Sequence, residues 1–205
     1  MLLVLLLLAS ALPASAGPKV IAALGDSLTQ GFGLQKTDGF VPRLQAWLQG
    51  QGADISVLNA GVSGDTTAGG LARLDWTLSP EVEALIVILG GNDFLRGVDP
   101  ASSRENLAGI LKGANARGLP VLLVGLPAPR NFGPEYQASV EAMYPELAAQ
   151  YGVLYVTNFF APIMDTATGL PDPAFMQADQ IHPNSAGVLQ IVEAMGPRVL
   201  EMLAK

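Results

Sequence analysis

The chain has 205 residues, a net charge of −7, half of its residues hydrophobic, no Cys and one His. That length supports one domain with a sizeable core, and an acidic balance without a basic run argues against binding DNA or RNA. The lack of Cys excludes disulfides, zinc–thiolate sites and cysteine nucleophiles, and the single His182 leaves too few ligands for a catalytic zinc, so no metal is expected.

Residues 1–16 read as a secretory signal. An apolar block from Leu2 to Ala9 is followed by Pro13 and the small triplet Ala14-Ser15-Ala16, although no Lys or Arg stands near the start. The block is too short to span a bilayer. Cleavage after Ala16 predicts an exported protein, periplasmic or secreted, with residues 17–205 as one domain and no stable membrane anchor. A buried first strand or a lipid-facing anchor is the alternative reading of this segment. Beyond it, continuous apolar or β-branched runs at 20–24, 55–58, 84–89, 120–125 and 153–156 have the composition of strands covered on both faces. Helical periodicity between them predicts helices at about 40–49, with Val41, Leu44 and Leu48 on one face, and at about 67–78, 101–117, 135–151 and 183–203. This alternation predicts an α/β fold, a parallel sheet with helices on both sides and right-handed crossovers. Ligands bind such sheets beyond the carboxyl ends of the strands. Function is therefore expected in GDSLTQG, NAGVSGDTT, GGNDF, LPAPRNFG and the long segment from Asn158 to Asn184.

Ser27 follows the first strand in a Gly-rich turn. Its hydroxyl is a poor nucleophile until a base takes its proton, and a turn serine bonded to nearby backbone is the other reading. Thr29 and Asp65 break the G-x-S-x-G elbow pattern at both sites that approach it. Any histidine base has to be His182, and Asp179, three residues earlier, is spaced to reach the same side and hold one ring nitrogen. Alternatively, both organise the start of the last helix, with Pro183 at its first position. Donors for a developing oxyanion are available at the Ser27 N–H, the Gly64 N–H and the Asn92 amide; turn geometry and capping also account for Gly64, Asn92 and Asp93.

Taken together, GDSLTQG, GVSGDTT, GGND and DQIHPN, in that order, resemble the blocks of the SGNH (GDSL) hydrolase family. The similarity runs from about Val20 to the last helix and is nearest the bacterial branch of arylesterases, thioesterase I and lysophospholipase L1. The resemblance implies a flavodoxin-like three-layer α/β/α sandwich with a five-stranded parallel sheet in the order 2-1-3-4-5, and no cofactor. It implies Ser27 as nucleophile, His182 as base, Asp179 as the acid orienting it, and an oxyanion hole of Ser27, Gly64 and Asn92. Gln180 is a departure, since this branch often has Gly there, and it bears on access near His182.

The expected reaction is hydrolysis of a small-molecule acyl ester or thioester through a Ser27 acyl-enzyme. Leu28, Leu126, Pro127, Phe132, Phe160, Phe175 and Ile181 stand in or beside strand-end loops as candidate apolar walls for a short-to-medium acyl chain. The Pro- and Gly-rich stretch 126–134 is a candidate flap. Asp26 is expected to brace the nucleophile turn by accepting hydrogen bonds. A carbohydrate O-deacetylase on the same scaffold, a non-catalytic binding module and, more remotely, a metal hydrolase are the competing readings.

Overall fold

The computed structural model describes residues 17–128 and 130–204; the expected signal segment lies outside the described residues. Strand β1 (Lys19–Gly25) leads into a one-turn helix, α1 (Ser27–Gln30), then α2 (Phe40–Gly50) and β2 (Ile55–Gly61). Next come α3 (Thr67–Ala72), α4 (Leu74–Thr77), β3 (Val82–Ile88), the short α5 (Gly91–Leu95), α6 (Pro100–Ala116) and β4 (Val121–Val124). The long α7 (Pro134–Tyr151) and β5 (Leu154–Val156) precede a small hairpin, β6 (Met164–Asp165) with β7 (Leu170–Pro171), and the last helix, α8 (Ser185–Leu203).

The five main strands are parallel in the order β2-β1-β3-β4-β5, as expected. Consecutive residues Ile21–Leu24 and Ala84–Ile88 are fully buried, so both faces of the sheet are covered, which is why these strands are unbroken apolar runs. The helices pack in two groups, α2 with α8 and α6 with α3 and α7. Glycines permit the closest approaches. A Cβ on Gly109 or Gly113, one turn apart on α6, would overlap Leu71 and Leu74, and one on Gly196 of α8 would overlap the Trp47 ring of α2. No described helix is long and apolar enough to cross a membrane.

Register sets the site. Gly25 pairs with both Gly61 and Ile88, so β1, β2 and β3 end on one row. Ser27, Gly64 and Asn92 lie only a few residues beyond that row, at the start of α1, in the loop between β2 and α3, and at the start of α5.

Two helix expectations need correction. The helix expected at 67–78 is broken at Arg73 (φ −105°, ψ 11°) into α3 and α4. There the arginine side chain turns inward to backbone carbonyls at the strand ends. The last helix starts at Ser185, not Pro183: Asn184 is the cap, its side chain accepting from the Gly187 N–H at 3.0 Å. Pro183 instead forms an isolated extended bridge with Met176.

Candidate active site

Ser27 is the first residue of α1, so its N–H has no acceptor within the helix. The turn before it is tight: a Cβ on Gly25 would collide with the Thr29 side chain and stand 2.9 Å from the Ile88 carbonyl. Asp26 caps the turn, Oδ1 accepting from the Leu28 N–H at 3.0 Å. Ser27 Oγ lies 2.8 Å from His182 Nε2, and His182 Nδ1 lies 2.7 Å from Asp179 Oδ2. The three-residue spacing of Asp179 and His182 is realised by a turn rather than a helix. Asp179 Oδ1 accepts from the backbone N–H groups of Ile181 (2.9 Å) and His182 (3.1 Å), which aims its other oxygen at the ring.

The His182 hydrogen bond, followed by the Ile181 N–H, lowers the Asp179 carboxyl to about 2. The ionised carboxylate only accepts, so the Nδ1 proton is held toward Asp179 and the Nε2 lone pair faces the Ser27 hydroxyl. The Phe32 ring packs against the imidazole with centroids 4.8 Å apart. Gln177 fastens the two loops together, its Nε2 donating to the Phe32 carbonyl (2.8 Å) and the Pro183 carbonyl (3.0 Å).

Gly64 has φ +82°, a conformation that favours glycine, and its carbonyl accepts from Arg96 Nη2 at 2.9 Å. Among the described residues, the Ser27 and Gly64 N–H groups have no protein acceptor. Asn92 Nδ2 donates to Asp26 Oδ2 at 3.2 Å. The neighbouring Asp93 is buried and accepts from the Thr67 N–H (2.9 Å), Thr67 Oγ1 (2.6 Å) and Ser103 Oγ (3.0 Å), tying α5 to α3 and α6. Asp26 thus braces the nucleophile turn as expected, with one oxygen on Leu28 and the other on Asn92. At 1% exposure, its desolvation outweighs these bonds and lifts its carboxyl to about 6.

Ser27, Gly64, Asn92 and His182 line one cavity of about 950 Å³, near the top of the roughly 300–1,000 Å³ range of small-molecule sites. Among the expected wall residues, Leu28, Leu126, Pro127, Phe160 and Ile181 line it. Phe132 and Phe175 do not, which corrects those two assignments. Phe132 lies at Gly97 and stacks on Tyr136 at 5.0 Å, because a 3-10 turn at Arg130–Phe132 carries it onto the start of α7. Phe175 lies in a turn packed on α8, its carbonyl accepting from the Asn184 N–H at 2.8 Å and filling the space over Gly187. Sequence reasoning missed Phe32, Phe94, Met164, Leu170 and Met176 as lining residues. Phe32 was discoverable from its place in the GDSLTQGFG stretch. The two-residue strands holding Met164 and Leu170 are too short to show a period.

Gln180 is the one described non-glycine residue with positive φ, at +56°. This accounts physically for a position where glycine suits the fold. Its side chain contributes only an exposed bond to the Gln177 carbonyl. Gln180→Gly should therefore raise stability by about 0.5–1 kcal/mol, the relief of left-handed strain exceeding the added freedom of the unfolded chain. Urea unfolding at constant slope measures this, and a loss of stability would refute it.

Known proteins share this sequence and fold. The GDSL-like lipase/acylhydrolase family profile matches residues 23–188. Esterase TesA of Pseudomonas aeruginosa is 41% identical over 189 residues, 92% of this chain and 91% of that one. Thioesterase 1/protease 1/lysophospholipase L1 of Escherichia coli K12 is 33% identical over 171 residues, 83% and 78% of the respective chains. The crystal structure of AlinE4, an SGNH-hydrolase family esterase, superposes with a TM-score of 0.75 at 40% identity, covering 93% of this chain and 99% of that one. With the serine turn, the glycine loop, the asparagine loop and the histidine loop all inside the matched region, the chain belongs to the GDSL-like lipase/acylhydrolase family.

Proposed function

We propose that the protein is a serine hydrolase of short-to-medium acyl esters and thioesters, acting through an acyl-enzyme on Ser27. The observation that carries this reading is the Asp179–His182–Ser27 chain, at 2.7 and 2.8 Å, opening into a cavity with apolar walls. Ser27 Oγ bonds to the acyl carbon while its proton passes to His182 Nε2 and the carbonyl electrons move onto oxygen. The N–H groups of Ser27 and Gly64 and the Asn92 amide receive that negative charge. Collapse expels the alkoxide or thiolate, which takes the proton from Nε2. Water then attacks the acyl-enzyme, its proton going to Nε2 and onward to Ser27 as the acid leaves. Every step uses groups of this chain. The expected signal at 1–16 supports an exported location for this chemistry.

The relatives carry the names of an esterase and of a thioesterase and lysophospholipase. The lining residues Leu28, Leu126, Phe160 and Met164 suit an acyl chain better than a sugar, which calls for more hydrogen-bonding groups. A p-nitrophenyl ester series from acetyl to long acyl, run beside an acyl-CoA, tests this. Turnover with an optimum above acetyl is expected; activity on acetylated saccharides alone would make the protein a deacetylase. A p-nitrophenyl phosphonate should leave one adduct, on Ser27, and abolish activity in proportion. An adduct elsewhere, or full activity with Ser27 modified, would overturn the assignment.

A further inference from the structure

Arg73 belongs to none of the groups given a chemical step, yet it touches the supports of two of them. We propose that Arg73 is a positioning residue that fixes the Gly64 loop relative to the Ser27 turn through a single guanidinium held between the ends of β1 and β2. Nη2 donates to the Gly25 carbonyl at 2.9 Å, two residues before Ser27. Nη1 donates to the Ala60 carbonyl at 2.9 Å, at the end of β2. Nε donates to Asp65 Oδ2 at 2.7 Å, immediately after Gly64. The donors of a guanidinium lie in one rigid plane, so the three oxygens are held at set separations.

The surroundings are shaped to admit this clamp. The Arg73 and Asp65 side chains are 18% and 13% exposed. The helix is interrupted at Arg73, and a Cβ on Gly69 would overlap the Asp65 carboxylate. The Gly25 carbonyl also accepts from the Val62 N–H at 3.1 Å, so the loop leaving β2 and the guanidinium converge on one atom. Stability alone is a weak reason for such an arrangement, since apolar replacements of buried ion pairs are often equally stable. Holding two loops in register is something an apolar group cannot do. Arg96, by contrast, reaches one backbone carbonyl among the described residues, that of Gly64, and so links no second loop end.

The inference rests on the reading of Ser27 and Gly64 as nucleophile and oxyanion donor, and the test separates the two. Wild type, Arg73→Lys, Arg73→Ala and Ser27→Ala are assayed on one p-nitrophenyl ester, with melting curves. Arg117→Lys serves as a control, since Arg117 similarly links the Leu78 carbonyl and Asp75, near the start of β3. Arg73→Lys should lose about tenfold or more in kcat with KM nearly unchanged, because misplaced donors weaken binding of the transition state rather than the substrate. Arg117→Lys should shift melting without that loss. Added guanidinium, but not urea, should restore kcat to Arg73→Ala. Wild-type kcat in Arg73→Lys, or a loss that disappears at temperatures where the variant is fully folded, overturns the clamp. If Ser27→Ala is inactive in the same assay, that outcome removes Arg73 alone; if Ser27→Ala is active, the underlying reading falls.

Discussion

Ser27→Ala should lower kcat by about 10⁴-fold or more on any ester the wild type cleaves, and His182→Ala by a similar factor. The reason is the 2.8 Å bond between Ser27 Oγ and His182 Nε2. Without the hydroxyl there is no atom to form the acyl-enzyme, and without the ring the hydroxyl keeps its proton. Because the two groups act in one step, the double variant should be scarcely worse than either single one. What remains, about 10³–10⁴-fold over water in serine hydrolases lacking a triad member, comes from the oxyanion donors and substrate binding. His182 must be neutral to accept the proton, and the Asp179 carboxyl, lowered to about 2, is ionised at neutral pH and holds the ring by Nδ1. Steady-state kinetics with circular dichroism to verify folding make the measurement. Activity of Ser27→Ala near wild type would place the nucleophile elsewhere, and additive losses in the double variant would show that the two residues do not share a step.

Much of the frame was legible because its cause is local. A strand buried on both faces must be an apolar run, and Ile21–Leu24 and Ala84–Leu89 are such runs. Connections in a parallel sheet leave from the carboxyl ends of the strands, so the segments after β1, β2, β3 and β5 bring Ser27, Gly64, Asn92, Asp179 and His182 to one end of the sheet. The strand order came from the resemblance, since no strand run states its neighbour. What escaped depends on contacts distant in sequence. Arg73 looks like an ordinary helical residue until Gly25, 48 positions away, supplies its acceptor. The last helix starts at Ser185 rather than Pro183 because Pro183 bridges Met176 and the Asn184 N–H is taken by the Phe175 carbonyl. Phe132 and Phe175 have the composition of pocket walls but are carried off by turns whose direction no period reveals.

The opening turn places a carboxylate beside the nucleophile, and Asp26→Asn should show why. The present carboxylate accepts on both sides, from the Leu28 N–H and from Asn92 Nδ2. An amide that keeps its oxygen on Leu28 presents an N–H to Asn92, setting two donors face to face. Asn92 relieves this by turning its own oxygen toward residue 26, which removes its N–H from the oxyanion site. The expected loss is about 10²–10³-fold in kcat, the typical effect of deleting one such donor. Stability should respond differently. Burial raises the Asp26 carboxyl from 3.8 to about 6, so the folded state binds this proton more tightly than the unfolded state. The resulting stabilisation is complete below the unfolded value and is lost as pH rises through about 6. At about 1.4 kcal/mol per pH unit between the two values, the ionised group costs the fold about 3 kcal/mol at neutral pH. Asp26→Asn should therefore flatten the fall in stability between pH 4 and 7 (about 3 kcal/mol in wild type) while impairing turnover, a site kept at the expense of the fold. Denaturant unfolding across that pH range, beside kcat, tests both parts. An active Asp26→Asn enzyme would break the link to Asn92, and an unchanged pH slope would show that the buried carboxylate is not what lowers stability.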